Sequence, residues 1–396
     1  MPASNRDAPA APAVVLLGAS VRAFAASAAR SGWGVHAADL FGDTDLATAA
    51  ESCRRVSDYP ADLFAAAVDF PVGPWCYTGA IENHPDLIER ITATRPLAGN
   101  SAAVVRRVRA PATLATALAD AGLRFPATFP TAENVPTDGS FIMKPRSSAG
   151  GHGIVRWTRG SAVGRDWRSG AHCWQRWVDG LPMAAAYCLG KEAATLLGAS
   201  RQLLGAAWCH AAPYAYCGSV GMPLEGLHDR VRDELLRLGR LLAESFGLVG
   251  TVGVDFILGA DDSITVIEVN PRPTASMELV ERETGASIAA AHLDACGFQS
   301  PITPAASKSV GHWSKAILFA PDDLTIDASL LDRLDRLTRP WTHDDGWPAL
   351  ADIPQPGQTI MRGRPILTLF ARGETSEGSL ARLVARALSA GKTTGQ

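Results

Sequence analysis

The sequence predicts a mixed α/β and α+β chain, and three observations carry that expectation. These are a strand–helix–strand opening, two strands joined by a short polar turn near residue 260, and β-rich runs broken by Pro and Gly after residue 300. Residues 1–12 read as a loose tail. From Ala13 the order is strand (AVVLLGA), turn, helix (RAFAASAARSG) and strand (GVHAADL), a βαβ unit that ends near Asp39. Its first turn, Gly18–Arg22, lacks the GxGxxG spacing, although Asp39 lies about the distance on where a ribose-binding acid would sit. The preferred reading is a Rossmann-like domain over 13–100 that binds no dinucleotide. Its first helix start, with Ser20 and Arg22, stays available for an anionic part of a substrate.

The rest of that first unit predicts an apolar strand at Val68–Phe70, a turn at Gly73–Pro74 and a helix over His84–Thr92. A linking helix over 101–123 follows, capped by Asn100 or Ser101 and closed by Gly122. Pro126 and Pro130 then mark the entry to the next unit.

The most informative stretch is Thr251–Arg272, TVGVDFILGADDSITVIEVNPR. Two β-rich runs flank the turn GADDS, so Asp255 and the pair Glu268 and Asn270 fall on neighbouring strands. Residues two apart on a strand share a face, and a hairpin partner brings Asp255 beside them. Three oxygen ligands, two of them anionic, suit a hard cation shared with phosphates. A solvated sheet edge is the alternative. It is disfavoured because Pro271 and Arg272 follow at once with a rigid turn and a cation.

A second signal is SFIMKPRSSAGGHGIVRW at 140–157, a strand, a loop of small residues and another strand. Lys144 ends the first strand. The loop Ser147, Ser148, Ala149, Gly150, Gly151, His152, Gly153 lets backbone amides approach phosphate oxygens. It is no Walker A motif, since no GK[ST] occurs; a plain flexible turn is the alternative that Lys144 weighs against. A third segment, HCWQRWVDG, places Gln175, Arg176, Trp177 and Val178 in a short strand-like run ending in Asp179 and Gly180, whose backbone is suited to reading a purine.

Composition excludes several classes. Charged residues at 19 % and hydrophobic residues at 47 % describe a globular chain rather than a disordered one. A net charge of −3 gives no electrostatic case for nucleic acid or an anionic membrane. The seven cysteines are scattered and odd in number, which favours reduced thiols and a cytoplasmic location over disulfides or a zinc site. VVLL at 14–17 is too short for a signal-peptide core or a membrane span.

Taken in order, a Lys with a Gly-rich loop, a hinge segment and then Asp…Glu-x-Asn-x-Arg resemble the ATP-grasp superfamily of carboxylate–amine and carboxylate–thiol ligases. The resemblance covers about residues 13–300. It implies a lid subdomain over 124–190, a metal-bearing subdomain over 191–300, and a C-terminal β-rich domain over 301–396. That last part is similar to biotin-carboxylase-like ATP-grasp proteins, the predicted carboligases included. It is expected as a small β domain or barrel-like extension with a final helix near Ser379–Ala390.

Carried over by position, the resemblance implies Mg²⁺ (or Mn²⁺) on Asp255, Glu268 and Asn270, and Lys144 on the α/β-phosphates of ATP. Ser147, Ser148, Gly150, Gly151, His152 and Gly153 would close over the phosphates, and Gln175–Val178 would hold adenine. Arg272 would meet the γ-phosphate or an acyl-phosphate. Where relatives carry a Lys, this chain reads RRVRAP, so Arg106, Arg107 or Arg109 would substitute, with Arg109 preferred. Leu181 and Pro182 offer no ribose-binding acid after the hinge, which leaves that task to Asp179 or a more distant residue. Glu278, Glu281 and Arg282 face the cleft or solvent.

The implied activity is an ATP- and Mg-dependent ligase that activates a carboxylate as an acyl-phosphate and joins it to an amine, in the manner of cofactor-building enzymes. Bicarbonate activation is the second enzymatic reading, and a nucleotide-binding regulator without turnover is the reading from another class. The partners implied are ATP, a small carboxylate and an amine, and a homodimer is compatible with the resemblance.

Overall fold

The structure is a computed structural model that describes residues 11–161, 170–191, 193–302, 311–341 and 346–393. Its first unit runs β1 (Ala13–Leu17), α1 (Arg22–Arg30), β2 (Gly34–Asp39), α2 (Thr44–Ala49), β3 (Ser52–Arg55), α3 (Asp62–Asp69) and β4 (Trp75–Tyr77). The strands form a parallel sheet in the order β3-β2-β1-β4. β1 and β2 are apolar along most of their length because helices cover both faces. The strand expected at Val68–Phe70 is instead the end of α3. Leu63, Ala66 and Ala67 turn inward at helical spacing, and Val68 lies on the exposed side.

Helix α4 (Pro85–Thr92) precedes a second departure from expectation. The single linking helix is two helices, α5 (Ala102–Val108) and α6 (Pro111–Asp120), with a corner at Arg109 and Ala110. Pro111 has no N–H to donate and its ring disfavours a helical residue before it, so Ala110 is extended at φ −78, ψ 111. The corner turns Arg109 towards the centre of the molecule.

A small antiparallel sheet follows, in the order β5-β8-β6-β7, from β5 (Thr128–Phe129), β6 (Asp138–Pro145), β7 (Val155–Thr158) and β8 (His172–Arg176). The chain then enters an eight-stranded antiparallel sheet through β9 (Leu181–Leu189), β10 (Ala194–Leu204) and β11 (Tyr216–Met222). After α7 (Asp229–Phe246) come β12 (Gly250–Leu258) and β13 (Ile264–Asn270), then α8 (Met277–Thr284) and α9 (Ile288–Ala295). The C-terminal part adds β14 (His312–Phe319), β15 (Leu324–Thr325), α10 (Ala328–Thr338), β16 (Leu350–Ala351), β17 (Thr359–Ile360), β18 (Pro365–Gly373) and α11 (Ser376–Thr393). Rather than closing a barrel, β14, β18 and β16 extend the same large sheet, whose order is β13-β12-β9-β10-β11-β14-β18-β16.

The two faces of that sheet differ in chemistry. One is covered by α7, whose Val231, Leu235, Leu238, Leu242 and Phe246 recur at helical spacing and pack on Tyr187, Val252, Val254 and Val266. Each such burial contributes about 1.5–3 kcal/mol. Gly247, at φ +68, stops α7 by donating to Ala243 O, and Leu248 N reaches back to Leu242 O. Cross-strand register puts Asp255, Ala184, Ser200, Gln202, Ser219 and Lys315 together on the other face. That polar face is the floor of the cleft.

Candidate active site

β12 and β13 pair so that Asp255 stands opposite Glu268 and Gly253 opposite Asn270. The three side chains expected to bind metal therefore lie on one face within two residue pairs. Asn270 Nδ2 donates to Asp255 Oδ2 at 3.2 Å, and Gln202 Nε2 donates to Oδ1 at 2.8 Å. On the intervening strand Ala184 stands opposite both Asp255 and Ser200, and Gln202, two residues beyond Ser200 on the same face, reaches the carboxylate diagonally. Burial, and then the neighbouring Glu268, push the Asp255 carboxyl up to about 6. Burial also acts against ionised Glu268, but Lys144, Arg109 and Arg272 outweigh it and hold that carboxyl below its ordinary range.

Three cations converge from three parts of the chain. Lys144, at the end of β6, sits 3.7 Å from Glu268 Oε2 and 3.5 Å from Gln175 Oε1. Arg109 Nη1 donates to Glu268 Oε1 at 3.1 Å. Arg106 instead pairs with Asp86 and Glu89 on the surface, and Arg107 bonds Ser245 O. Of the three arginines of RRVRAP, only Arg109 is at the cleft among these contacts. Arg272 bonds Glu82 Oε1 at 2.6 and 2.9 Å and Asn270 Oδ1 at 3.3 Å.

The Gly-rich loop lies against β11 rather than open. Tyr216 N donates to Gly150 O at 2.9 Å, and Asn83 Nδ2 donates to Ser148 O at 3.3 Å. Gly151, at φ +76, packs so close to Tyr214 that a Cβ there would come within 2.0 Å of its carbonyl oxygen. Ser148, Gly150 and Gly151 line the cleft, whereas Ser147, His152 and Gly153 are not among its lining residues. His152 is exposed and its carbonyl accepts from Ser148 Oγ at 2.7 Å.

In the hinge, Gln175, Arg176, Trp177 and Val178 line the cleft with Ile142, Phe256 and Ile267. Buried Gln175 bonds Thr128 Oγ1 at 3.3 Å and Ile267 O at 3.5 Å. Asp179 accepts from Trp177 Nε1 at 2.6 Å, so its carboxylate is already engaged.

The far wall of the cleft holds groups that sequence reasoning left open or missed. Glu278, Glu281 and Arg282 lie on α8 and are buried, not solvated; Glu278 and Glu281 line this wall, whereas Arg282 turns away from the cleft to stack on Phe370 and donate to Pro348 O at 2.9 Å. Arg22 is no free anion site. It donates to Glu278 at 2.6 and 3.1 Å and to Asp352 at 2.8 and 3.3 Å. Lys315 bonds Glu278 Oε2 at 2.8 Å and Ala275 O at 3.1 Å. Asp39 accepts from the amides of Val21, Phe41 and Gly42, which occupies it at the first turn of α1. Glu82, from a short turn after β4, could not have been assigned from sequence, since nothing around ENHP marks an active-site acid.

The whole cleft has a volume of about 660 Å³, enough for a nucleotide and a further small molecule. Its residues fit a divalent cation. Two carboxylates and an amide oxygen are all hard donors, and the pressure on the Asp255 proton is what a cation between the two carboxylates would relieve. Among the described residues no helix is long and apolar enough to cross a membrane.

Residues 112–276 match the ATP-grasp domain family. A 68-residue segment is 35% identical to the carbamoyl phosphate synthase large chain of Neisseria gonorrhoeae, covering 17% of this chain and 6% of that one. Solved structures resemble the chain nearly from end to end. Carboxyaminoimidazole ribonucleotide synthase of Aspergillus clavatus, complexed with ATP, superposes with a TM-score of 0.70 at 13% identity over 97% of this chain and 98% of that one. The biotin carboxylase domain dimer of Hydrogenobacter thermophilus 2-oxoglutarate carboxylase, in complex with MgADP, ADP and bicarbonate, gives 0.67 at 14% identity over 93% and 88%. L-amino acid ligase of Bacillus licheniformis gives 0.66 at 14% identity over 95% and 96%.

Proposed function

Because this chain carries an ATP-grasp domain and folds throughout as an ATP-grasp protein, we propose that it is an ATP-dependent ligase joining a carboxylate to an amine. The observation that carries the proposal is the register of Asp255 on Glu268 with Lys144, Arg109 and Arg272 around them. In this reading the paired acids would take a cation and the three positive charges a phosphate chain in one cleft.

ATP is a substrate in this reading. Adenine would lie between Ile142, Val178 and Phe256, meeting the hinge backbone from Val178 onward, since the amides of Arg176 and Trp177 already bond Ala127 O and Ser140 O. Asp255, Glu268 and Asn270 would hold Mg²⁺, with Mn²⁺ as a substitute, and the ion would supply charge neutralisation at the phosphates. Lys144 would hold the α/β-phosphates and Arg272 the γ-phosphate. A carboxylate oxygen attacks the γ-phosphorus and ADP leaves. The amine nitrogen then attacks the acyl carbon, and phosphate leaves as the amine gives up a proton. Arg272 stabilises the oxyanion of that second step, with Glu82 holding the guanidinium in place. The loop at 147–153 keeps water from the acyl-phosphate.

The far wall favours an unphosphorylated amine such as an amino acid. Its cations Arg22 and Lys315 are already clamped by Glu278 and Asp352, so they offer a phosphate group little. Bicarbonate in place of an organic acid is the second reading. It is supported by the likeness, over 93% of this chain, to a biotin carboxylase domain solved with MgADP, ADP and bicarbonate.

The test is Mg²⁺-dependent ADP and phosphate release from ATP across amino acids, small carboxylates and bicarbonate, with mass spectrometry of the mixtures. A product whose mass equals two substrates less water is the expected outcome. Turnover with bicarbonate alone would replace the first reading by the second, and tight ATP binding without turnover would replace both by a regulator.

A further inference from the structure

Two adjacent residues of the turn after β4 grip the two arginines of the site. Glu82 clasps Arg272, and Asn83 Oδ1 accepts from Arg109 Nη2 at 2.9 Å. Arg109 uses its other terminal nitrogen on Glu268 Oε1 at 3.1 Å. The amide nitrogen of Asn83 points the other way, to Ser148 O in the Gly-rich loop at 3.3 Å. A continuous path therefore runs from Glu268 through Arg109 and Asn83 to the backbone of the loop.

We propose that Asn83 is a positioning residue that latches the 147–153 loop shut and ties its closure to the orientation of Arg109 at Glu268. The proposal rests on the ligase reading for its consequence in turnover, but not for the latch itself. Asn suits the task because one side chain offers an acceptor to the guanidinium and a donor to the loop carbonyl. The loop's other hydrogen bond to the body is from Tyr216 N to Gly150 O, beside the packing of Gly151 on Tyr214, with Ser148 Oγ closing the loop on itself at His152 O. Losing the Asn83 bond removes one of these two hydrogen bonds and leaves Gly151 packed against Tyr214, and opening should rise accordingly. Arg109, freed of Asn83, keeps Glu268 but loses the restraint on its second nitrogen.

Two variants separate the functions. Asn83→Ala removes both bonds, while Asn83→Asp keeps the oxygen that Arg109 uses and removes the donor to Ser148. Amide hydrogen exchange at 147–153 in the free protein is expected to rise about fivefold to tenfold in both variants, the loss of one hydrogen bond's net worth. In turnover with ATP and an accepted substrate pair, ADP release should exceed ligated product, because water reaches the activated carboxylate when the loop is open. A general structural defect would lower both by the same factor. Unchanged loop exchange in Asn83→Ala, or restoration of wild-type exchange by Asn83→Asp, would overturn the latch. If the wild type shows no ligation at all, the ligase reading fails, and the exchange arm still decides the latch because it needs no nucleotide.

Discussion

At the scale of single residues, the site is a balance between two carboxylates and three cations drawn from distant segments. Glu268 is about a third exposed to the cleft, yet it is the acid that both Lys144 and Arg109 face. Replacing it by Gln leaves shape and hydrogen-bonding capacity largely intact and removes the charge that a cation needs. Glu268→Gln should lower ADP formation at least about 100-fold and weaken Mg·ATP binding while the melting transition stays within a few degrees. Normal turnover in that variant would mean the metal site lies elsewhere. Arg272→Ala removes the cation beside Asn270 and leaves Glu82 buried without its partner. It should cost about 10²–10³ in turnover and also some stability, whereas Arg272→Lys should keep part of both. Much of this was legible in the sequence, because period-two spacing and a turn suffice to put Asp255, Glu268 and Asn270 on one face. Glu82, Asn83 and Gln202 were not legible. Glu82 and Asn83 reach the site from the turn after β4 and Gln202 from β10, and their local sequence has no pattern that names partners 26 to 190 residues away.

At the scale of elements, α7 and the cleft occupy opposite faces of the same strands, so stability and chemistry are separable. Leu235 is fully buried at the centre of the α7 contact. Leu235→Ala should destabilise the protein by about 2–5 kcal/mol with KM for ATP unchanged, read by denaturant unfolding beside steady-state kinetics. A large shift in KM would show that the faces communicate. The sequence places β1, β2, β6, β7, β12 and β13 near where they fall, leaves β9, β10 and β11 unread, and errs where composition misleads about period. Val68 and Phe70 are apolar and the first is β-branched, but the helical spacing of Leu63, Ala66 and Ala67 before them decides the outcome. The sequence suggests one continuous linking helix because AAVVRRVRA before Pro111 and ATLATALAD after it are both Ala-rich and favour helix. The proline sets the corner, and the corner is what brings Arg109 to Glu268.

At the scale of the whole molecule, α8 joins three parts of the chain. Glu278 takes Arg22 from the first unit and Lys315 from β14, Glu281 pairs with Arg30, and Glu283 accepts from Trp313 N at 2.9 Å. Of these acids Glu283 stands apart. Burial pushes its carboxyl up to about 7, and the bond from Trp313 only partly offsets this. The folded protein thus keeps a proton there that the unfolded chain releases near 4.5, so between about pH 4.5 and 7 Glu283 makes the fold less stable as pH rises. Above pH 7 the penalty stays constant. Glu283→Gln retains an oxygen for Trp313 N and cannot ionise. Its stability relative to wild type should therefore climb across that window, by at most about 1.4 kcal/mol per pH unit, and then level. Burial works the other way at His292, held down to about 4, whose Nδ1 accepts from Thr251 N at 2.9 Å. That contribution is lost as pH falls from about 6.5 towards 4, but it is common to both proteins and cancels in their difference. Guanidinium midpoints of the two proteins at pH 4.5, 5.5, 6.5 and 7.5 measure the difference directly. A difference that does not change with pH would mean that Glu283 is ionised in the fold, and Trp313 N would then meet a charged carboxylate rather than a neutral acid.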